Sequence, residues 1–219
     1  MNNKLLILCV AFLSACGAAK EVHKYQLTDG RYSFRQGDIK YKQANIYVVN
    51  DTIKIFLDND PLKPHTPDPF KVQVYKKKSF DVDVITIPFK FRPITAGLPR
   101  QLTTDFNGQL YTGFRIDRFT FKYNKTPVGL RPAHEHSALS VGLFGGLGST
   151  AVTPWTTNNM TTDEYNGLIF SRGIALMVGV GNLTVGVGLG WDYLTDRDRD
   201  IWIYQNKPWL GLTFGLNIN

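Results

Sequence analysis

Residues 137–150 read SALSVGLFGGLGST, 168–180 read LIFSRGIALMVGV, 183–194 read LTVGVGLGWDYL and 209–219 read WLGLTFGLNIN. Each run alternates between two populations. Leu139, Val141, Leu143 and Leu147 fall on one parity; Ala138, Ser140, Gly142, Phe144, Gly146 and Gly148 fall on the other. Leu168, Phe170, Arg172, Ile174, Leu176, Val178 and Val180 oppose Ile169, Ser171, Gly173, Ala175, Met177 and Gly179. Leu183, Val185, Val187, Leu189 and Trp191 oppose Thr184, Gly186, Gly188, Gly190 and Asp192, and Leu210, Leu212, Phe214, Leu216 and Ile218 oppose Trp209, Gly211, Thr213, Gly215 and Asn217. A strand sends successive side chains to opposite faces, so each run predicts a strand with one apolar face and one face of small or polar groups. A solvated sheet face normally carries Lys, Glu and Thr. Gly, Ala, Ser and Thr suit the crowded inside of a strongly curved sheet instead.

The 219-residue chain holds 43% hydrophobic and 20% charged residues, 20 Gly, 13% aromatics and a formal charge of +7. Its Lys and Arg are scattered rather than gathered into a stripe, which points away from nucleic acid and toward anionic lipid, polysaccharide or solubility. At the N-terminus a short basic region, Met1–Lys4, precedes the apolar run Leu5–Leu13, too short for a helical span and apt for a secretory signal. Leu13-Ser14-Ala15-Cys16 follows directly. That tetrapeptide resembles the lipobox of bacterial lipoproteins, which implies cleavage after residue 15 and acylation of Cys16; ordinary cleavage near Ala18 or Ala19 is the alternative. The other cysteine, Cys9, lies inside the signal core, so neither cysteine serves a disulfide, a zinc site or a thiol nucleophile.

Three regions follow: a signal peptide at 1–15, a β-rich segment with a Pro-rich linker at 16–69, and a long-stranded region at 70–219. Asp29-Gly30 predicts a hairpin between Val22–Thr28 and Arg31–Arg35, and Asn50-Asp51 a second between Ala44–Asn50 and Thr52–Leu57, setting Ile46 and Val48 against Ile53, Ile55 and Leu57. Asp58–Pro69, with Pro61, Pro64, Pro67 and Pro69, reads as linker or extended wrap. Phe70–Tyr75 and Ser79–Arg92 are expected to pair across Lys76-Lys77-Lys78, with Ile85, Ile87, Phe89 and Phe91 sharing a face and a bulge at Pro88, which has no N–H to donate. In Asp105–Tyr123 the apolar parity passes from Leu110, Phe114 and Ile116 to Phe119, Phe121 and Tyr123, predicting a bulge near Asp117-Arg118.

The connections then alternate in length. Gly181-Asn182 is a two-residue turn, whereas Pro93–Thr104, Thr150–Asp163 and Thr195–Gln205 are long; Asn124–His136 reads as one more long connection. Trp191, Tyr193, Trp202, Tyr204 and Trp209 cluster about one of the long loops, as an interfacial girdle would. Over residues 70–219 this pattern resembles Gram-negative outer-membrane β-barrel proteins, which join their strands by short periplasmic turns and long outer loops. The resemblance implies an all-β, antiparallel transmembrane barrel of about eight strands in the cell outer membrane, with lipid as its first partner and an envelope or extracellular partner on the long loops.

Candidate chemistry is sparse. If the apolar parities face lipid, Lys90, Arg92, Arg115, Asp117 and Lys122 face inward with Tyr111, forming an anion-favouring path or a charge network that satisfies itself in a narrow interior. His134 and His136 share a strand face and are the weak candidates for metal ligands. His136 is a poor base for Ser137, because neighbours on a strand point to opposite faces. The inward glycines leave either a cavity or room for Phe144, Trp209 and Tyr111. Asp196–Asp200 alternates acid and arginine, which suits a solvated loop tip better than calcium. No cofactor fingerprint is present. The reading is a non-enzymatic barrel with a structural, adhesive or contact-making role. A narrow pore, an envelope-lipid hydrolase and a soluble ligand-binding lipoprotein stand as alternatives.

Overall fold

The computed structural model describes residues 26–216, except 50, 51, 58, 59, 66, 69 and 182. Cys9, Cys16 and the leader lie outside the described residues, as do Asn50-Asp51, Asn182 and the chain end at 217–219. Among the described residues the regular structure is eleven strands and two short 3-10 turns. The strands are β1 (Gly30–Gln36), β2 (Ile39–Val49), β3 (Thr52–Leu57), β4 (Asp60–His65), β5 (Gln73–Arg92), β6 (Gln101–Thr103), β7 (Asn107–Thr126), β8 (Gly129–Val152), β9 (Tyr165–Val180), β10 (Leu183–Leu194) and β11 (Pro208–Leu216). Every pairing between them is antiparallel, so the protein is all-β.

β5, β7, β8, β9, β10 and β11 pair in that order, and β11 returns to β5 from Leu210↔Phe91 to Leu216↔Val84. Among the described residues six strands form this circuit, where about eight are expected for a barrel. The N-terminal strands continue the sheet away from the circuit, in the order β5-β1-β2-β3-β4. One long strand serves both: Gln73–Lys76 of β5 pairs β1, whereas Val84–Phe91 pairs β11.

Several local expectations hold. Ile46↔Ile55 and Val48↔Ile53 pair as the second hairpin requires. Leu183↔Val180 closes the short turn, with Gly181 at φ 57°, where a side chain would be strained. Long connections gather at one end of the circuit (93–106, 153–164 and 195–207) and short turns at the other.

Others are corrected. β1 pairs with β2 through a turn at Gly37-Asp38, Gly37 having φ 56°, whereas Leu27 and Thr28 are not strand. The Pro-rich segment contributes β4, which lies at the end of the sheet path, where a proline leaves no ladder bond unmet. The three lysines make no turn: β5 runs straight through them, turning Lys77 over the Tyr32 ring at 5.5 Å while Lys76 and Lys78 stay exposed. The long connection expected at Asn124–His136 is hairpin instead, since β7 and β8 stay in register down to Thr126↔Gly129.

Parity brings two more corrections. The bulge at Pro88 is present, as a register shift between Leu212↔Phe89 and Phe214↔Thr86. It inverts the strand, so Ile85 and Ile87 are buried while Phe89 and Phe91 are exposed, and these four do not share a face. The Asn107 side chain completes the bulge, accepting from the Ile87 N–H (2.9 Å) and donating to its carbonyl (2.7 Å). At Asp117-Arg118 there is no bulge, because β7 holds one register with β8 along its whole length. Arg115, Asp117 and Phe119 line the same inner face. What changes there is the covering, from the inside of the circuit to the aromatic underside of the N-terminal sheet.

Three apolar clusters fill the inner face. Tyr32, Phe34, Ala44, Ile46, Ile55, Tyr75 and Phe119 pack at the short-turn end. Ile85, Ile87, Tyr111, Phe144, Ala175, Met177 and Trp209 fill the middle. Val152, Ile169, Leu194, Trp202, Ile203 and Tyr204 close the long-loop end. The glycines make room rather than space: a β-carbon at Gly190 would collide with the Trp209 ring, and one at Gly211 would stand 2.5 Å from Ile87. Burial of each large side chain contributes about 1.5–3 kcal/mol.

Candidate functional site

Above the middle cluster, β5 and β10 bring three charges together inside the circuit. The bulge at Pro88 puts Lys90 and Arg92 on the inner face, and Asp192 sits on the small-residue face of β10. Lys90 Nζ lies 3.1 Å from Asp192 Oδ1 and donates to Ser171 Oγ at 3.1 Å. Arg92 donates to Asp192 Oδ2, and Ser171 Oγ donates to Oδ1 at 2.6 Å. Lys90, Arg92, Ser171 and Asp192 are all fully buried. Aromatic faces complete the cage. Lys90 Nζ stands 4.7 Å from the Trp209 ring, and the Arg92 guanidinium stands 4.8 Å from Tyr204 and 5.4 Å from Trp202.

Such a cage holds two cations on one carboxylate. The cation–π contacts supply part of the missing counter-charge, each about 0.5–2 kcal/mol depending on desolvation. Asp105, half-buried in the loop between β6 and β7, lies within the field of both cations. Burial holds its carboxyl above the usual range, against the opposing pull of the Arg92 and Lys90 charges.

A second network lies toward the short-turn end. Arg115 Nε donates to Asp117 Oδ1 at 2.9 Å, and its Nη1 stands 3.6 Å from Asp81 Oδ2. His136 Nε2 is 2.8 Å from the same Asp117 oxygen, and its ring lies 4.8 Å from Phe119. Tyr111 and Ser140 share a hydrogen bond of 2.6 Å.

Of the residues expected inside, Lys90, Arg92, Arg115 and Asp117 are there. Lys122 is not: it lies one residue off the inward parity of β7 and is half-exposed, paired with Glu135 across the β7–β8 hairpin. His134 faces Phe121 at 6.2 Å, and no three potential metal ligands converge among the described residues. Ser137 is exposed while the His136 side chain is buried, so they do not meet. The aromatic girdle is also revised. Trp202, Tyr204 and Trp209 turn inward onto the two cations, leaving Tyr193 exposed and Trp191 half-exposed.

Asp192, Ser171 and Asp81 belong to these networks and were not singled out from the sequence. Their signal was parity, since each is a polar group on the face opposite an apolar series.

The long loops are pinned rather than loose. Arg197 pairs with Asp163, Tyr165 donates to Asp198 Oδ2 at 3.0 Å, and the Ile203 N–H donates to the Thr156 carbonyl at 3.0 Å. The Asp196–Asp200 tip thus spends its acids on Tyr165, Arg197 and the Leu168 N–H.

No protein-family model, curated protein or solved structure matches this chain.

Proposed function

We propose that this chain is a small β-barrel of the Gram-negative outer membrane, exported and lipidated at Cys16, with a structural, adhesive or surface-contact role and no catalytic one. The observation that carries the reading is the outer surface of the six-stranded circuit. Phe80, Val82, Leu110, Phe114, Leu139, Val141, Leu143, Leu176, Val178, Val187, Leu210 and Leu212 are exposed, and every strand contributes. A water-soluble monomer rarely exposes an apolar patch beyond a few hundred Å². Inside, the buried charges Lys90, Arg92, Arg115, Asp117 and Asp192 sit among the three apolar clusters.

Dimensions agree. Phe170 to Val180 is ten residue steps, about 33 Å along a strand, and a tilt of about 45° leaves roughly 23 Å of height against a typical band of about 25 Å. Along Val84–Phe91, β11 covers the edge that β5 turns away from β7, as backbone in hydrocarbon requires.

The filled interior favours a contact role over a pore. The aromatic cluster at each end and the Lys90–Arg92–Asp192 cage between them leave the strand circuit occupied along its length. The pinned loops 153–164 and 195–207 supply a stable surface at one end, suited to an envelope or extracellular partner.

Gel mobility of the protein from washed outer membranes, with and without boiling, tests this. A closed circuit of strands resists detergent until heated, so two mobilities are expected; a single band at the unfolded mobility, with the protein in the aqueous fraction, would sink the reading.

A further inference from the structure

On the outer face, at the short-turn end, Ser33 and Arg35 of β1, Lys40 of β2, Val74 and Lys76 of β5 and Arg118 of β7 line a pocket of about 150 Å³. We propose that this pocket binds the phosphate headgroup of an anionic phospholipid in the leaflet at the short-turn end. The inference rests on the membrane reading above.

Register makes the case. Arg35 pairs directly with Lys40, and Lys76 directly with Arg118. Like charges opposed across antiparallel strands repel and destabilise the sheet. Among the described residues no ion pair engages any of the four, and Glu135, on the same face of β8, is taken by Lys122. Two repelling pairs around one pocket form a site that an anion relieves. The pocket has the volume of about five waters at roughly 30 Å³ each, room for a phosphate group. Arginine offers that group paired donors and lysine a point charge.

Position chooses the lipid. Along the outward parity of β5 the residues run Lys76, Lys78, Phe80, Val82, Val84; along β7 they run Arg118, Ile116, Phe114. The basic pocket therefore adjoins the apolar belt, about 13 Å along the strand from Lys76 to Phe80. That is where headgroup phosphate meets hydrocarbon. A lipid whose phosphate enters the pocket lays its acyl chains along the Phe80–Phe114 surface, whose rings stand 5.9 Å apart.

The test uses the full chain in detergent micelles and native mass spectrometry, with phosphatidylglycerol, phosphatidylcholine and inorganic phosphate as probes. The wild type should retain phosphatidylglycerol in preference to phosphatidylcholine. The double variant Arg35→Gln/Arg118→Gln should bind it about 30-fold more weakly, a factor of about five for each cation removed. Arg199→Gln, at the opposite end, should bind like the wild type. Heat-dependent gel mobility is read on each protein in parallel. A heat shift with no phosphatidylglycerol preference overturns the inference and leaves the membrane reading intact. Competition by inorganic phosphate at the lipid's own concentration overturns it in favour of a free-anion site. The absence of any heat shift removes both.

Discussion

Replacing Asp192 by alanine should cost more stability than any other single charge removal in this chain. Its carboxylate is fully buried and accepts from Lys90, Arg92 and Ser171. Asp192→Ala leaves an ammonium and a guanidinium side by side in a buried interior, with Ser171 and aromatic faces as their remaining contacts. Breaking a buried pair by removing one member costs about 3–5 kcal/mol, mostly the uncompensated charge left behind. The folded-to-unfolded ratio should therefore fall roughly a hundred- to a few-thousand-fold. Urea unfolding in the presence of lipid vesicles, followed by tryptophan fluorescence, measures this. The double variant Lys90→Met/Asp192→Ala is the decisive partner, since it leaves one stranded cation, Arg92, where Asp192→Ala leaves two. It should be more stable than Asp192→Ala alone, and with Lys90→Met it completes a cycle whose coupling energy exceeds about 1 kcal/mol. A loss below about 1 kcal/mol for Asp192→Ala, or a double variant worse than the single, would refute the idea that this carboxylate holds the two cations in place.

Other consequences are open to direct measurement. Gly190→Ala pushes a methyl into the Trp209 ring and should destabilise by about 1–3 kcal/mol, with Trp209→Phe in the same chain restoring part of the loss; equal losses with and without Trp209 would disprove the packing account of the glycine face. Planar-bilayer recordings should show no steady conductance for the wild type, because the interior is filled, and a stable open level altered by Arg115→Gln would contradict that. Removing the Arg197 contact with Asp163→Ala should leave the urea midpoint nearly unchanged, since the pair is exposed; a clear drop in that midpoint would show the loop to be structural rather than a contact surface.

Much of the circuit was legible in residues 137–219 because a period of two needs only local sequence to declare itself. Leu139, Val141 and Leu143 are exposed and Ala138, Ser140 and Phe144 are buried as alternation dictates. What alternation leaves open is pairing partners, which join residues far apart in the chain. That β5 closes onto β11, with six strands in the circuit, depends on contacts such as Phe89↔Leu212, which no local pattern encodes. Charged runs misled for a related reason. Lys76-Lys77-Lys78 looks like a turn, but its alternate side chains find water on one face and the Tyr32 ring on the other. The site was half visible. Lys90 and Arg92 stood out as basic groups after an apolar series, whereas the inward turn of Trp202 and Tyr204 belongs to an irregular loop with no period to read.

The central claim is that the apolar outer face meets lipid. It is tested most directly by fluorophores on single cysteines at Leu143→Cys of β8, Val187→Cys of β10 and Glu164→Cys of the loop before β9, with the protein reconstituted in vesicles. Residues 143 and 187 should be quenched by bromine-labelled acyl chains and shielded from aqueous iodide, and residue 164 should behave in the opposite way. Equal quenching of all three positions by iodide, with none by the brominated lipid, would contradict the account.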